Sequence, residues 1–137
     1  MSFWFEEHTA DVTLVASGSS FSEALASAAR GVTGVMTEAE VSEKLSFPVD
    51  LVAESRESLL FDFVAHIIFL LDAESLFVAR AELEVSGGGD EWSCSGLVYG
   101  DLAVGYERSG DVKAPTYNRL SVWDEDGLVF VRLTLDL

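Results

Sequence analysis

The fold of this chain turns on one stretch near its start, Phe3-Trp4-Phe5-Glu6-Glu7-His8-Thr9-Ala10-Asp11-Val12-Thr13-Leu14-Val15. Aromatic residues at 3–5 and the apolar alternation from Val12 to Ser17 predict two short strands, with His8-Thr9-Ala10-Asp11 as a polar connection between them. A connection that only turns the chain is usually built from Gly, Pro or Asn. This one carries an imidazole, a hydroxyl and a carboxylate. An Asp or Thr at such a place also bonds its own loop backbone, so structural and functional readings stand side by side until the rest of the chain is read.

Outward from there, Gly18-Ser19-Ser20 predicts a turn and Ser20-Phe21-Ser22-Glu23 a capping box, in which Ser20 and Glu23 satisfy each other's backbone N–H groups. Phe21, Ala24, Leu25, Ala28, Val32, Val35 and Met36 recur at helical spacing, a core stripe, and Gly31 and Gly34 predict fraying near Met36. Leu45–Ala53 reads as a strand that Pro48 confines to a sheet edge. A second helix opens at Ser55 or Arg56. Leu59, Leu60, Phe63, Val64, Ile67, Leu70 and Leu71 form its wide apolar face, and Phe61, Ile68 and Phe69 extend that face almost all round. Such a helix is either the central core element or half of an interface.

Four strands follow, at Leu76–Ser86, Trp92–Tyr99, Leu120–Asp124 and Leu128–Leu135. Gly87-Gly88-Gly89-Asp90 and Asp126-Gly127 are the hairpin turns. Residues 101–118 read as one long irregular segment, a length commonly tied to function. The expected architecture is a single α+β domain over residues 1–137. It is a two-layer sandwich of a largely antiparallel or mixed sheet with two helices on one face, in the order β-β-α-β-α and then four strands.

Composition narrows the function. The 137 residues hold 24 Asp and Glu against 8 Lys and Arg, a net charge of −16, and the mean hydropathy is +0.27. The chain is therefore a folded protein. The charge opposes direct grip on a phosphate backbone, which requires cations to displace counterions; strong nucleic-acid binding is not expected. The single Cys94 allows no internal disulfide and reads as a small core hydrophobe, in keeping with a reducing cytoplasm. No segment is apolar enough for a signal peptide or a membrane span. Asp62 and His66, four apart on the second helix, are expected to share a local hydrogen bond, since zinc needs further ligands. No Walker loop, nucleophile elbow or paired-cysteine motif is present.

Taken together, His8-Thr9-Ala10-Asp11-Val12, Val112-Lys113-Ala114-Pro115-Thr116-Tyr117 and the closing Leu135-Asp136-Leu137 resemble the archease family, as does Leu59-Leu60-Phe61-Asp62-Phe63 with Phe69-Leu70-Leu71-Asp72. The resemblance spans the whole chain. It implies a non-enzymatic activator of the GTP-dependent RNA ligase of tRNA splicing, promoting the ligase's guanylylation and multiple turnover and broadening its nucleotide use. It also implies a cytoplasmic protein with a divalent cation, Ca2+, Mg2+ or Mn2+, held by Asp11, Asp136 and Leu137. Asp11, Lys113 and Asp136 would be the activating residues, with His8 a weaker candidate. Two positions depart from the family pattern: Asn118 and Tyr106 stand where histidine is common.

The residue chemistry agrees, because two Asp carboxylates and a main-chain carboxylate are hard oxygen donors. Two other classes are compatible with the same residues. One is a stand-alone metal-dependent hydrolase with His8 as base. The other is a structural or interaction module without metal, in which Asp11 and Lys113 form a buried ion pair.

Overall fold

A computed structural model of the chain describes residues 1–7 and 11–137, with the side chains of residues 6 and 7 outside the description. Among these residues seven strands and two α-helices, besides one short 3-10 turn (Ala103–Gly105), appear in the order β1 (Ser2–Glu7), β2 (Asp11–Gly18), α1 (Phe21–Met36), β3 (Leu45–Ala53), α2 (Arg56–Glu74), β4 (Leu76–Gly88), β5 (Glu91–Leu102), β6 (Ala114–Glu125) and β7 (Leu128–Asp136). The α+β class and the element order are those expected from the sequence. The single sheet of that expectation is divided in two. One sheet has the order β1-β2-β7-β6 and the other β3-β5-β4, and every pairing is antiparallel.

Each helix serves both sheets. Helix α1 lies against β2 of the four-stranded sheet and β4 of the three-stranded one, and α2 lies against β6 and β3. The division follows from the apolar faces. Leu14 and Ala16 of β2 with Val131, Leu133 and Leu135 of β7 face the helices, as do Val49 of β3 and Cys94 and Val98 of β5, and all join one buried cluster. Apolar residues on both sides of α2 give it two surfaces to cover, which is why Phe63, Val64, Ile67 and Ile68 are all buried.

Local signals set the boundaries. Ser20 caps α1 by accepting the Glu23 amide at 3.2 Å, a bond whose loss typically costs about 1 kcal/mol. The reciprocal half of the expected capping box is replaced: the Glu23 carboxylate accepts the Ser19 hydroxyl instead. Ser55 caps α2 through the Ser58 amide. Pro48 does lie on an edge strand, β3. Between β6 and β7, Asp126 at φ 52° and Gly127 at φ 78° both adopt the left-handed region that a tight hairpin of this twist requires.

Two further expectations need correction. Strand β6 begins at Ala114, six residues before the expected Leu120, because Ala114, Pro115 and Thr116 pair with Asp136, Leu135 and Thr134 before the register shifts ahead of Ser121. The irregular segment is correspondingly shorter. The Asp62–His66 hydrogen bond is not formed; His66 Nε2 is buried without a hydrogen-bond partner and the imidazole lies 6.2 Å from the Phe69 ring.

Candidate carboxylate site at the end of the four-stranded sheet

Strand β7 is central in its sheet, and its last residue meets both neighbours at once. Asp136 stands opposite Asp11 on β2 and opposite Ala114 on β6. The main-chain oxygen of Asp136 accepts the amide of Lys113 at 2.8 Å. Asp11 thus opens a strand, whereas the alternation pattern had placed it in the connection. Antiparallel partners project from the same face with Cβ atoms about 4.5–5.5 Å apart, so the two carboxylates rise together on the face turned away from the helices.

The approach of Lys113 is fixed by its neighbours. Asp111 accepts the Val112 amide at 2.9 Å and the Arg108 guanidinium at 2.7 Å, and the Val112 side chain is buried. These contacts hold the turn that delivers Lys113 to the strand end, where its side chain is exposed. The exposed Lys113 side chain therefore forms no buried ion pair with Asp11. Asp136 and Leu137 are exposed and Asp11 is half-buried. His8 lies outside the described residues, with Thr9 and Ala10.

Beneath the carboxylates runs a row of hydroxyls that the sequence reading did not single out. Thr13 and Thr134, the next register pair on the same face, are buried with their Oγ1 atoms 3.0 Å apart. Thr116 on β6 donates to the Thr134 carbonyl at 2.9 Å. The signal for this row was present as Thr two residues inward from Asp at both strand ends, spacing that puts them on one face.

Like charges directly opposite in a ladder repel. A cation between them removes that cost, and two carboxylates suit a hard divalent ion rather than zinc. Among the described residues no three His, Cys, Asp or Glu side chains gather to hold a metal, so a cation bound here would need main-chain oxygen or water beside the two carboxylates. The donor set present fits a calcium-, magnesium- or manganese-type ion.

The histidine departures have structural occupants. The Tyr106 hydroxyl donates to Asp101 Oδ2 at 2.7 Å and accepts the Ser42 amide at 3.0 Å. Asn118 is exposed, and its amide reaches Thr116 Oγ1 at 3.3 Å.

Residues 3–137 match the Archease protein family. The chain belongs to the archease family. It is 31% identical to the protein archease of Methanothermobacter thermautotrophicus over 98% of both chains. An archease-like protein of Drosophila melanogaster is 33% identical over 89% of this chain and 80% of its own length. The solution structure of Methanobacterium thermoautotrophicum protein 1598 superimposes with a TM-score of 0.84 at 31% identity, covering 98% of each chain. A crystal structure from Thermotoga maritima, described as an archease and possible chaperone, shares the fold with a TM-score of 0.60 at 20% identity over 96% of this chain and 94% of its own. The archease fold is thus the setting of the Asp11–Asp136 pair, and no helix among the described residues is long and apolar enough to cross a membrane.

Proposed function

We propose that this protein is a non-enzymatic activator of the GTP-dependent RNA ligase of tRNA splicing, presenting a divalent cation and Lys113 to the ligase. It acts in the cytoplasm, promotes the ligase's guanylylation and multiple turnover, and broadens its nucleotide use. The observation that carries the reading is the meeting of Asp11, Asp136 and Lys113 at one strand end in a chain of the archease family.

The protein's own residues have distinct parts. Asp11 and Asp136 hold the ion from adjacent strands, with the main-chain oxygens of Leu137 as further donors. Lys113, fixed through its backbone and exposed at its side chain, offers a mobile positive charge beside them. The Thr13–Thr134 bond keeps the two strands in register beneath the pair. A bound divalent ion supplies positive charge for triphosphate oxygens. RNA is reached through the ligase, since the net charge of −16 opposes direct contact with a phosphate backbone.

A multiple-turnover ligation assay at limiting ligase tests this. Stimulation is expected from the unaltered protein and loss of it from Asp11→Ala, Lys113→Ala and Asp136→Ala, each with a normal thermal melt. Full stimulation by all three variants would dismiss the site, and ligation with no response to the unaltered protein would dismiss the function.

A further inference from the structure

Helix α2 is more apolar than the core requires. Its outward stripe carries Phe69, 58% exposed, and half-buried Phe61, and Tyr117 of β6 stands 71% exposed beside it. The Phe61 and Tyr117 rings stack at 4.1 Å between centroids, 3° from parallel. Next to them a cleft of about 250 Å³ opens between the end of β3, the first turns of α2 and the irregular part of β6, lined by Val52, Glu54, Ser58, Phe61, Asp62 and Tyr117. No Lys or Arg lines it.

We propose that this cleft seats an arginine side chain of a basic partner protein, and that the apolar stripe of α2 running from it to Phe69 is the partner's docking surface. The volume suits one long side chain. A guanidinium entering there meets two carboxylates and the exposed ring of Tyr117, whose other face is stacked on Phe61; carboxylate and aromatic ring are the two kinds of group that hold arginine at protein interfaces. Desolvation raises the Asp62 carboxyl above its ordinary value, although the residue as a whole is exposed.

Charge decides among occupants. A second copy would bring a second chain of net charge −16, and a nucleic acid would bring phosphates toward Glu54 and Asp62. A basic protein surface is complementary to both the cleft and the whole chain.

The surface also adjoins the carboxylate site. Tyr117 follows Thr116, whose partner Thr134 is two residues from Asp136, roughly 7 Å along the strand. A protein gripping α2 therefore reaches around the edge strand β6 to Lys113 and the carboxylate pair. Identifying that protein with the ligase rests on the function proposed above; the arginine cleft itself does not.

The test separates the two. The isotope-labelled protein is titrated with N-acetyl-arginine methylamide and with its citrulline counterpart, which has the same shape and no charge. Saturable amide shifts at Phe61, Asp62 and Tyr117 are expected with the arginine compound alone, and Asp62→Asn should weaken them about tenfold. In a second arm, Asp62→Asn and Tyr117→Ala, both at exposed positions, should melt normally yet bind the ligase about tenfold or more weakly. Arginine binding without any ligase affinity in the unaltered protein would sustain the cleft and reject the ligase as its partner. Equal shifts with citrulline, or none with arginine, overturn the proposal. So does a response of the same amides to a single-stranded oligonucleotide, or a dimer in sedimentation that buries them.

Discussion

Thr13 Oγ1 and Thr134 Oγ1 meet at 3.0 Å in a fully buried bond, two residues inward from the opposed carboxylates of Asp11 and Asp136. The pair joins residues 121 positions apart in sequence and fixes the register on which the carboxylate site depends. Thr13→Val leaves the Thr134 hydroxyl without that partner, and the expected loss is about 1–3 kcal/mol. The double change Thr13→Val with Thr134→Val should cost less than the sum of the single changes, because no hydroxyl is then stranded. Urea unfolding of the three variants gives the comparison, and strict additivity would mean that the hydroxyls are not coupled.

Metal binding should appear as stability. An ion that binds only the folded form at 100 times its dissociation constant adds about 2.7 kcal/mol. The protein should melt higher in calcium or manganese than in chelator, and Asp11→Asn or Asp136→Asn should abolish the gain. An equal gain in all forms would place the ion elsewhere.

Acid should loosen the contact between α2 and β6. The Arg56 guanidinium holds Asp124 through bonds of 2.9 and 3.3 Å, and this hydrogen bonding lowers the Asp124 carboxyl below its ordinary value. A carboxyl lowered in the folded state contributes stability that is complete above its unfolded pKa, about 3.9, and is lost as pH falls through the folded value. Asp124→Asn should therefore be the less stable form near neutral pH, with the gap closing below about pH 4. Melting curves across that range follow it, and a gap that persists in acid would show that packing rather than charge sets it.

Cys94 should be chemically silent. It is fully buried on β5, and burial pushes its thiol up to about 11. Since the thiolate is the reactive form, an aromatic disulfide reagent at neutral pH should modify the unfolded protein quickly and the folded one only at the rate of opening. Rapid labelling of the folded chain would contradict the packing of the three-stranded sheet.

The parts of this fold that were legible in the sequence are those decided locally. Ser20 and Ser55 announce their helices, Pro48 its edge and Asp126-Gly127 its hairpin, since each acts through its own backbone conformation or bonding. The early start of β6 was hidden because Pro115-Thr116-Tyr117-Asn118 does not alternate; those residues are organised by β7. The division into two sheets was hidden too, because an apolar strand does not state which neighbour it pairs with. At the site, Asp11, Lys113 and Asp136 were legible as a family pattern. Their common position became visible only through register, and the hydroxyl row of Thr13, Thr116 and Thr134 had no signal stronger than its spacing.

The central place of β7 also governs the order in which the chain can fold. Strands β3, β4 and β5 are contiguous in sequence apart from α2 and can assemble while synthesis is still in progress. The hairpin β1–β2 has no such freedom: its inner edge must stay open until residues 128–136 arrive. Closing a loop of that span is slow compared with local pairing, so pulse-labelled hydrogen exchange should protect β5 amides before those β2 amides that bond to β7. Asp11 and Asp136 consequently come face to face in the final step of assembly, and a half-folded chain has no paired carboxylates to display to a partner.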